Sequence, residues 1–184
     1  MTTNQDSNPR VRMSLRELVK DEKKRNAFLK AFKRITELPP DNPNSYWAIA
    51  GYHGEPFVHR MVPPSHLRND WGGFCQHNNV LFPTWHRLYI LRLEKALQTV
   101  CEDVMLPYWD QTSEENIRLG LPDILTADTL PIYGETVKNP LKSFTFPKEI
   151  ISTEGNPHYL KPKGYETVRY PFSGMLIHFF YISI

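Results

Sequence analysis

The chain has only two cysteines in 184 residues, Cys75 and Cys101, too few for a disulfide framework, so a reducing compartment is expected. It has no long apolar run. The longest, SGMLIHFFYISI at positions 173–184, falls well short of the ~20 residues a membrane-crossing helix needs. The opening MTTNQDSNPRV lacks the apolar stretch and small-residue cleavage site of a secretory signal, and the expectation is a cytoplasmic protein. An excess of one charge is missing too. Lys and Arg number 22 against 20 Asp and Glu, a net charge of +2, which falls short of the basic stripe of a nucleic-acid binder. Neither nucleic acid nor a membrane is an expected partner, and small neutral molecules suit the chain as well as charged ones.

What is present reads as one domain over 1–184, long enough to bury its own core. Ser14 and Glu17 have capping-box spacing, which predicts a helix from Leu15, broken near Asp21 and ending at Leu38 before Pro39 and Pro40. Phe28, Leu29, Phe32 and Ile35 recur at helical spacing, while KDEKKR supplies the wet face. Asn44 or Ser45 can cap a second helix, whose Tyr46, Ile49, Ala50 and His53 share a face until Gly54 stops it. Gly and Pro then make a long loop. Pro83 opens the most strongly periodic segment, in which Trp85, Leu88, Tyr89, Leu93, Ala96, Leu97 and Val100 form one stripe with His86 beside it. The prolines that recur from Pro107 onward predict irregular structure, so the ordered scaffold is expected within the first 110 residues.

Five of the seven histidines lie between positions 53 and 86. Neutral imidazole is a favoured ligand for copper and zinc, and the predicted helices turn His53 and His86 toward one interior. His77 stands in the loop between them. Taken alone, His53 fits a hydrogen-bonded core histidine better than a ligand, and His59, His66 and His158 fit loop positions. Cys101 fits the apolar side of the long helix, with a disulfide left open.

The local wording narrows this. GYHG, CQHNNVLFPTWHR and LPYWD follow one another in that order, and residues 12–112 resemble the copper-A half of the tyrosinase, catechol oxidase and hemocyanin family, most densely at FPTWHR and PYWD. The resemblance implies a mainly α fold, half of the type-3 copper four-helix bundle with long irregular loops, and His53, His77 and His86 as ligands of one copper. It also implies that Cys75, two residues before His77, forms a thioether to that histidine, as in fungal tyrosinases. Trp85, Arg87, Trp109 and Asp110 are expected to support the scaffold. The implied chemistry is oxidation of phenols and o-diphenols to o-quinones with dioxygen, feeding pigment formation, at a pair of coppers that neither ion can replace alone.

The second copper of that family requires a His-x-x-x-His pair on one helix, which puts two imidazoles on adjacent turns of one face. This sequence has none after His86, only His158 and His178. It therefore supplies ligands for one copper, and residues 113–184 read as a loop-rich remainder whose tail departs from the family after Ser173 and Gly174, as in a truncated relative. The helices carrying His53 and His86 are expected to expose apolar faces, to be covered by water, by a chain bearing the second copper site, or by the tail. Two function classes follow. One is an oxidoreductase acting through the copper-A half; the other is a non-catalytic single-copper or interaction module. Oxygen carriage of the hemocyanin kind is a third. Preference between monophenols and diphenols is not encoded in this half.

Overall fold

Six helices and one hairpin make up the described residues of this computed structural model, which are 10–53, 74–75, 79–149 and 161–167. The first helix, α1 (Leu15–Lys20), starts where expected. Ser14 accepts from the Glu17 amide and the Glu17 carboxylate accepts in return from the Ser14 amide, a reciprocal capping box. The expected break falls at Asp21, whose extended backbone ends α1 and whose side chain caps α2 (Glu22–Glu37) through the Lys24 amide at 3.0 Å. The charge run lies outside, with Glu22, Lys23 and Lys24 exposed, while Phe28, Leu29, Ala31, Phe32 and Ile35 are buried.

Ser45 caps α3 (Tyr46–Ala50) through the Ala48 amide. This helix is shorter than its sequence period suggests. It ends at Ala50, and the chain continues in tighter turns in which the Tyr52 and His53 amides donate to the carbonyls of Ile49 and Ala50. His53 therefore sits just beyond the helix and not within it. The second long helix, α4 (Phe82–Gln98), has Pro83 in its first turn and buries Tyr89, Leu93, Ala96 and Leu97. The expected stripe holds at that end only: Leu88 is 64% exposed and, with Leu81 and Leu91, forms an apolar edge turned to the outside. The helix α2 packs on α1, α3 and α4, and α3 also meets α4.

Glu94 is buried on α4. Its carboxylate accepts from Arg12 Nε at 2.8 Å and from the Leu106 amide at 3.0 Å, tying both flanking segments to the helix. Ser14 and Tyr108 pair in a short parallel bridge, the Leu15 amide donating to the Tyr108 carbonyl and the Tyr108 amide to the Met13 carbonyl.

Ordered structure extends past residue 110, contrary to the expectation from proline content. Two short helices, α5 (Glu114–Leu119) and α6 (Asp123–Thr126), precede an antiparallel hairpin of β1 (Thr129–Ile132) and β2 (Glu135–Lys138), with Ile132 opposite Glu135. Its two-residue turn has positive φ at both Tyr133 and Gly134, as right-handed strand twist favours. Phe144 and Phe146 then complete the core. Phe144 meets Tyr46 with ring centroids 4.7 Å apart, and Phe146 meets Trp47 edge-on at 5.4 Å. A five-residue helix has no stability of its own, so α3 owes its place to these rings and to α2 and α4.

Three consequences are measurable by thermal or urea unfolding. Phe146 is 1% exposed, and Phe146→Ala is expected to cost about 3–5 kcal/mol and to release α3. The Tyr89 hydroxyl is buried without a hydrogen-bond partner among the described residues, so Tyr89→Phe should leave stability unchanged or raise it by up to ~1 kcal/mol; a loss would reveal a partner. The capping carboxylates Glu17 and Asp21 are held below their ordinary values by bonds from the backbone of Ser14 and Lys24. A depressed folded-state value means that the stabilisation is complete above the ordinary carboxylate range. It should drain away as pH falls from about 5 toward 3, and the Glu17→Gln, Asp21→Asn pair should show a shallower acid slope.

Candidate metal centre

Three segments converge at the N-terminal end of α4. His86 lies on its second turn, where Nδ1 is 2.8 Å from the Phe82 carbonyl oxygen. A carbonyl can only accept, so the neutral ring carries its proton on Nδ1 and turns the Nε2 lone pair the other way. There it faces the sulfur of Cys75, 3.3 Å away. Cys75 is brought in by the return of the chain to α3: the Phe74 amide donates to the Tyr52 carbonyl at 3.0 Å, one residue before His53. His53 completes the group, its ring centroid 5.8 Å from that of His86. One ligand atom from each of His53, Cys75 and His86 lies within 4.8 Å of the other two.

The walls are aromatic. Phe82 lies against the His86 ring at 4.2 Å, and Trp85 meets both histidines edge-on, 4.9 Å from His86 and 5.9 Å from His53. Tyr89, stacked on Trp85 at 5.0 Å, closes the side toward the core. Such rings screen the donors from water while leaving their polar atoms to one another. Burial pushes the Cys75 thiol up to about 11 and holds the Tyr89 phenol well above its ordinary value, so both are neutral at physiological pH in the metal-free protein. The donor set suits copper: two imidazoles with a soft sulfur nearby match its preferences, and no carboxylate joins the group among the described residues.

The residues singled out from sequence are partly assembled. His53 and His86 come together, with Cys75 between them in an arrangement that spacing along the chain did not foretell. His77, and with it the thioether to Cys75, lies outside the described residues, as do His59, His66, His158 and His178. Trp85 belongs to the wall of the site. Arg87 is exposed on α4. Trp109 packs against the core under the Arg16 guanidinium, 5.3 Å from the ring centroid, and Asp110 accepts from the Thr112 amide and hydroxyl in a local turn. Both are distant in sequence from the histidines and act on the α1 side of the fold. Tyr89 and Phe82 were not singled out as site residues; their one-turn spacings from Trp85 and His86 carry that signal. Cys75 and Cys101 are both free thiols.

Comparison with known proteins shows the family. The profile described as the common central domain of tyrosinase matches residues 43–173. The chain is 48% identical over 177 residues to a tyrosinase of Hahella sp., covering 90% of this chain and 32% of that protein. It is 40% identical over 167 residues to a tyrosinase of Aspergillus oryzae, covering 89% of this chain and 29% of the relative. The solved tyrosinase of Burkholderia thailandensis at low pH superposes with a TM-score of 0.77 at 44% identity, over 90% of this chain and 34% of that one. The chain thus spans about a third of the length of these relatives, and the relatives include bacterial as well as fungal proteins. On the match over residues 43–173 and these identities, the chain belongs to the tyrosinase family, whose proteins use copper.

Proposed function

We propose that this chain provides the copper-A half of a phenol-oxidising centre, with His53, His77 and His86 as the ligands of one copper. The observation that carries the reading is the convergence of His53 and His86, from separate elements, on a pocket walled by Phe82, Trp85 and Tyr89. Copper, when bound, supplies the redox step by which dioxygen is reduced as a phenol or o-diphenol is oxidised to an o-quinone. The chain's own residues prepare that step. The Phe82 carbonyl fixes the His86 ring so that Nε2 is the donor, and the aromatic wall keeps competing water off the ligands. The exposed Leu81, Leu88 and Leu91 edge supports a complementary segment bearing the second copper's ligands, since the family's activity needs both. Pigment formation is the role that such o-quinones suit.

The same exposed edge also favours a second reading, a single-copper module that binds a relative without turnover. Copper content and quinone formation separate the two. The copper-loaded chain is expected to hold one copper and to form o-quinone from an o-diphenol only after a fragment carrying the remaining two-thirds of a relative is added. His53→Ala and His86→Ala should each weaken copper binding by about 100-fold or more, measured by competition with a chromophoric chelator. Copper binding unchanged in both variants would remove the centre; one copper with no quinone in any combination would leave the module.

A further inference from the structure

The turn between β1 and β2 carries a side chain that its backbone does not ask for. A two-residue hairpin turn with positive φ at both positions favours Asn, Asp or Gly, yet its first residue is Tyr133, at φ 50°. A bulky side chain held in the left-handed region is strained, and such strain concentrates where a side chain has a task. Burial is not that task, since Tyr133 is 59% exposed while its neighbour Ile132 enters the core. The ring meets Lys30 instead, whose Nζ stands 5.8 Å from the ring centroid, over its face. Lys30 comes from α2, against which β1 packs, and among the described residues no carboxylate pairs with it. A phenol on a projecting turn thus has a primary amine above it, supplied by a different element. Two other phenols show that the combination is not general. Tyr165 has Lys161 Nζ 4.7 Å from its ring centroid but packs on Phe146 at 5.2 Å. Tyr108 is open to solvent but is tied along the chain by backbone bonds with Met13 and Leu15.

We propose that Tyr133 is a modification site: a protein-borne phenol that a complete two-copper relative oxidises to an o-quinone, which Lys30 then captures as a covalent link between the hairpin and α2. This inference goes beyond the copper-A reading and does not require the chain to bind copper itself. The oxidant is dioxygen. One of its atoms joins the ring carbon beside the hydroxyl and the other leaves as water with the two hydrogens lost, so the phenol becomes an o-quinone. Lys30, its ammonium proton shed to solvent, attacks a ring carbon with its nitrogen lone pair. The N–C bond forms, the amine proton and the displaced ring hydrogen pass to the two quinone oxygens, and an amino-substituted o-diphenol results. The amine already stands over the ring face, the side from which such an addition proceeds, and rotation about the four-carbon lysine stem closes the remaining distance. The link ties residues far apart in sequence, so it restrains the unfolded chain as a long-loop disulfide does.

The test uses the full chain, incubated in air with an active two-copper tyrosinase whose turnover of free L-tyrosine is followed in the same vessel. Proteolytic peptides are then read by mass spectrometry. In wild type, the peptide carrying Lys30 is expected to be joined to the one carrying Tyr133, with one oxygen gained and two hydrogens lost. The thermal midpoint of the treated chain should rise above that of the untreated one. Lys30→Arg keeps the cation but presents a guanidinium that stays protonated, so it should lose both the joined peptide and the rise while Tyr133 is still oxidised. Tyr133→Phe should lose all three. Both positions are exposed, so the variants are expected to fold, and the joined peptide is in any case read on the wild-type chain. Tyr133 left unmodified while free L-tyrosine is turned over would overturn the proposal. So would an oxidised Tyr133 that stays unjoined or is joined to a residue other than Lys30.

Discussion

Burial of Leu93, Ala96 and Leu97 in the core shared with α2 is the contact on which the rest of the structure depends. It holds α4 at its C-terminal half and leaves the other end to chemistry. His86 lies about two turns upstream of Leu93, so the rigid rise of the helix carries the core's fixed position out to the metal pocket. The division of labour shows in exposure. Leu93, Ala96 and Leu97 are at or near zero, whereas Leu81 and Leu88 lie open. Glu94 adds a polar lock at the anchored end, fastening the segments before α1 and after α4 to the same turn.

The three members of the pocket are held with unequal stiffness. His86 is fixed by its helix and by a bond from its own ring to the Phe82 carbonyl. Cys75 is set by one backbone bond of its neighbour Phe74 to Tyr52 and by dense burial. His53 stands on turns beyond a five-residue helix that is itself clamped by Phe144 and Phe146. The pocket thus joins one side chain held within a long helix to another on turns beyond a short one.

Much of this was legible in the sequence wherever the signal is local. The Ser14 and Glu17 box, the break at Asp21 and the Ser45 cap each depend on groups a few residues apart, and each is observed. The stripe on α4 was legible as apolar but not as buried, because spacing shows which residues share a face and not whether another element covers it. Leu88 is the case in point. The approach of Cys75 to His86 depends on how a Gly- and Pro-rich segment returns to Tyr52, a long-range fact with no local code. In the second half, Tyr133 takes a positive φ that only its Gly134 neighbour hinted at, and Phe144 and Phe146 alternate about Thr145 as a strand would. Reading proline content as a bar to order overlooked that short strands and turns tolerate it.

The clasp between the beginning of the chain and the segment after α4 has a bearing on biosynthesis. Arg12 bonds Glu94 across 82 residues, and Arg16 bonds Asn116 across 100. The entropy of closing loops of this size is lost before the contacts repay it, which delays their formation relative to the helices they enclose. During synthesis the N-terminal arm has no partner until Glu94, Leu106 and Tyr108 have emerged, by which time His53, Cys75, His77 and His86 are all outside the ribosome. The clasp thus closes only after the whole segment carrying these four residues has been made.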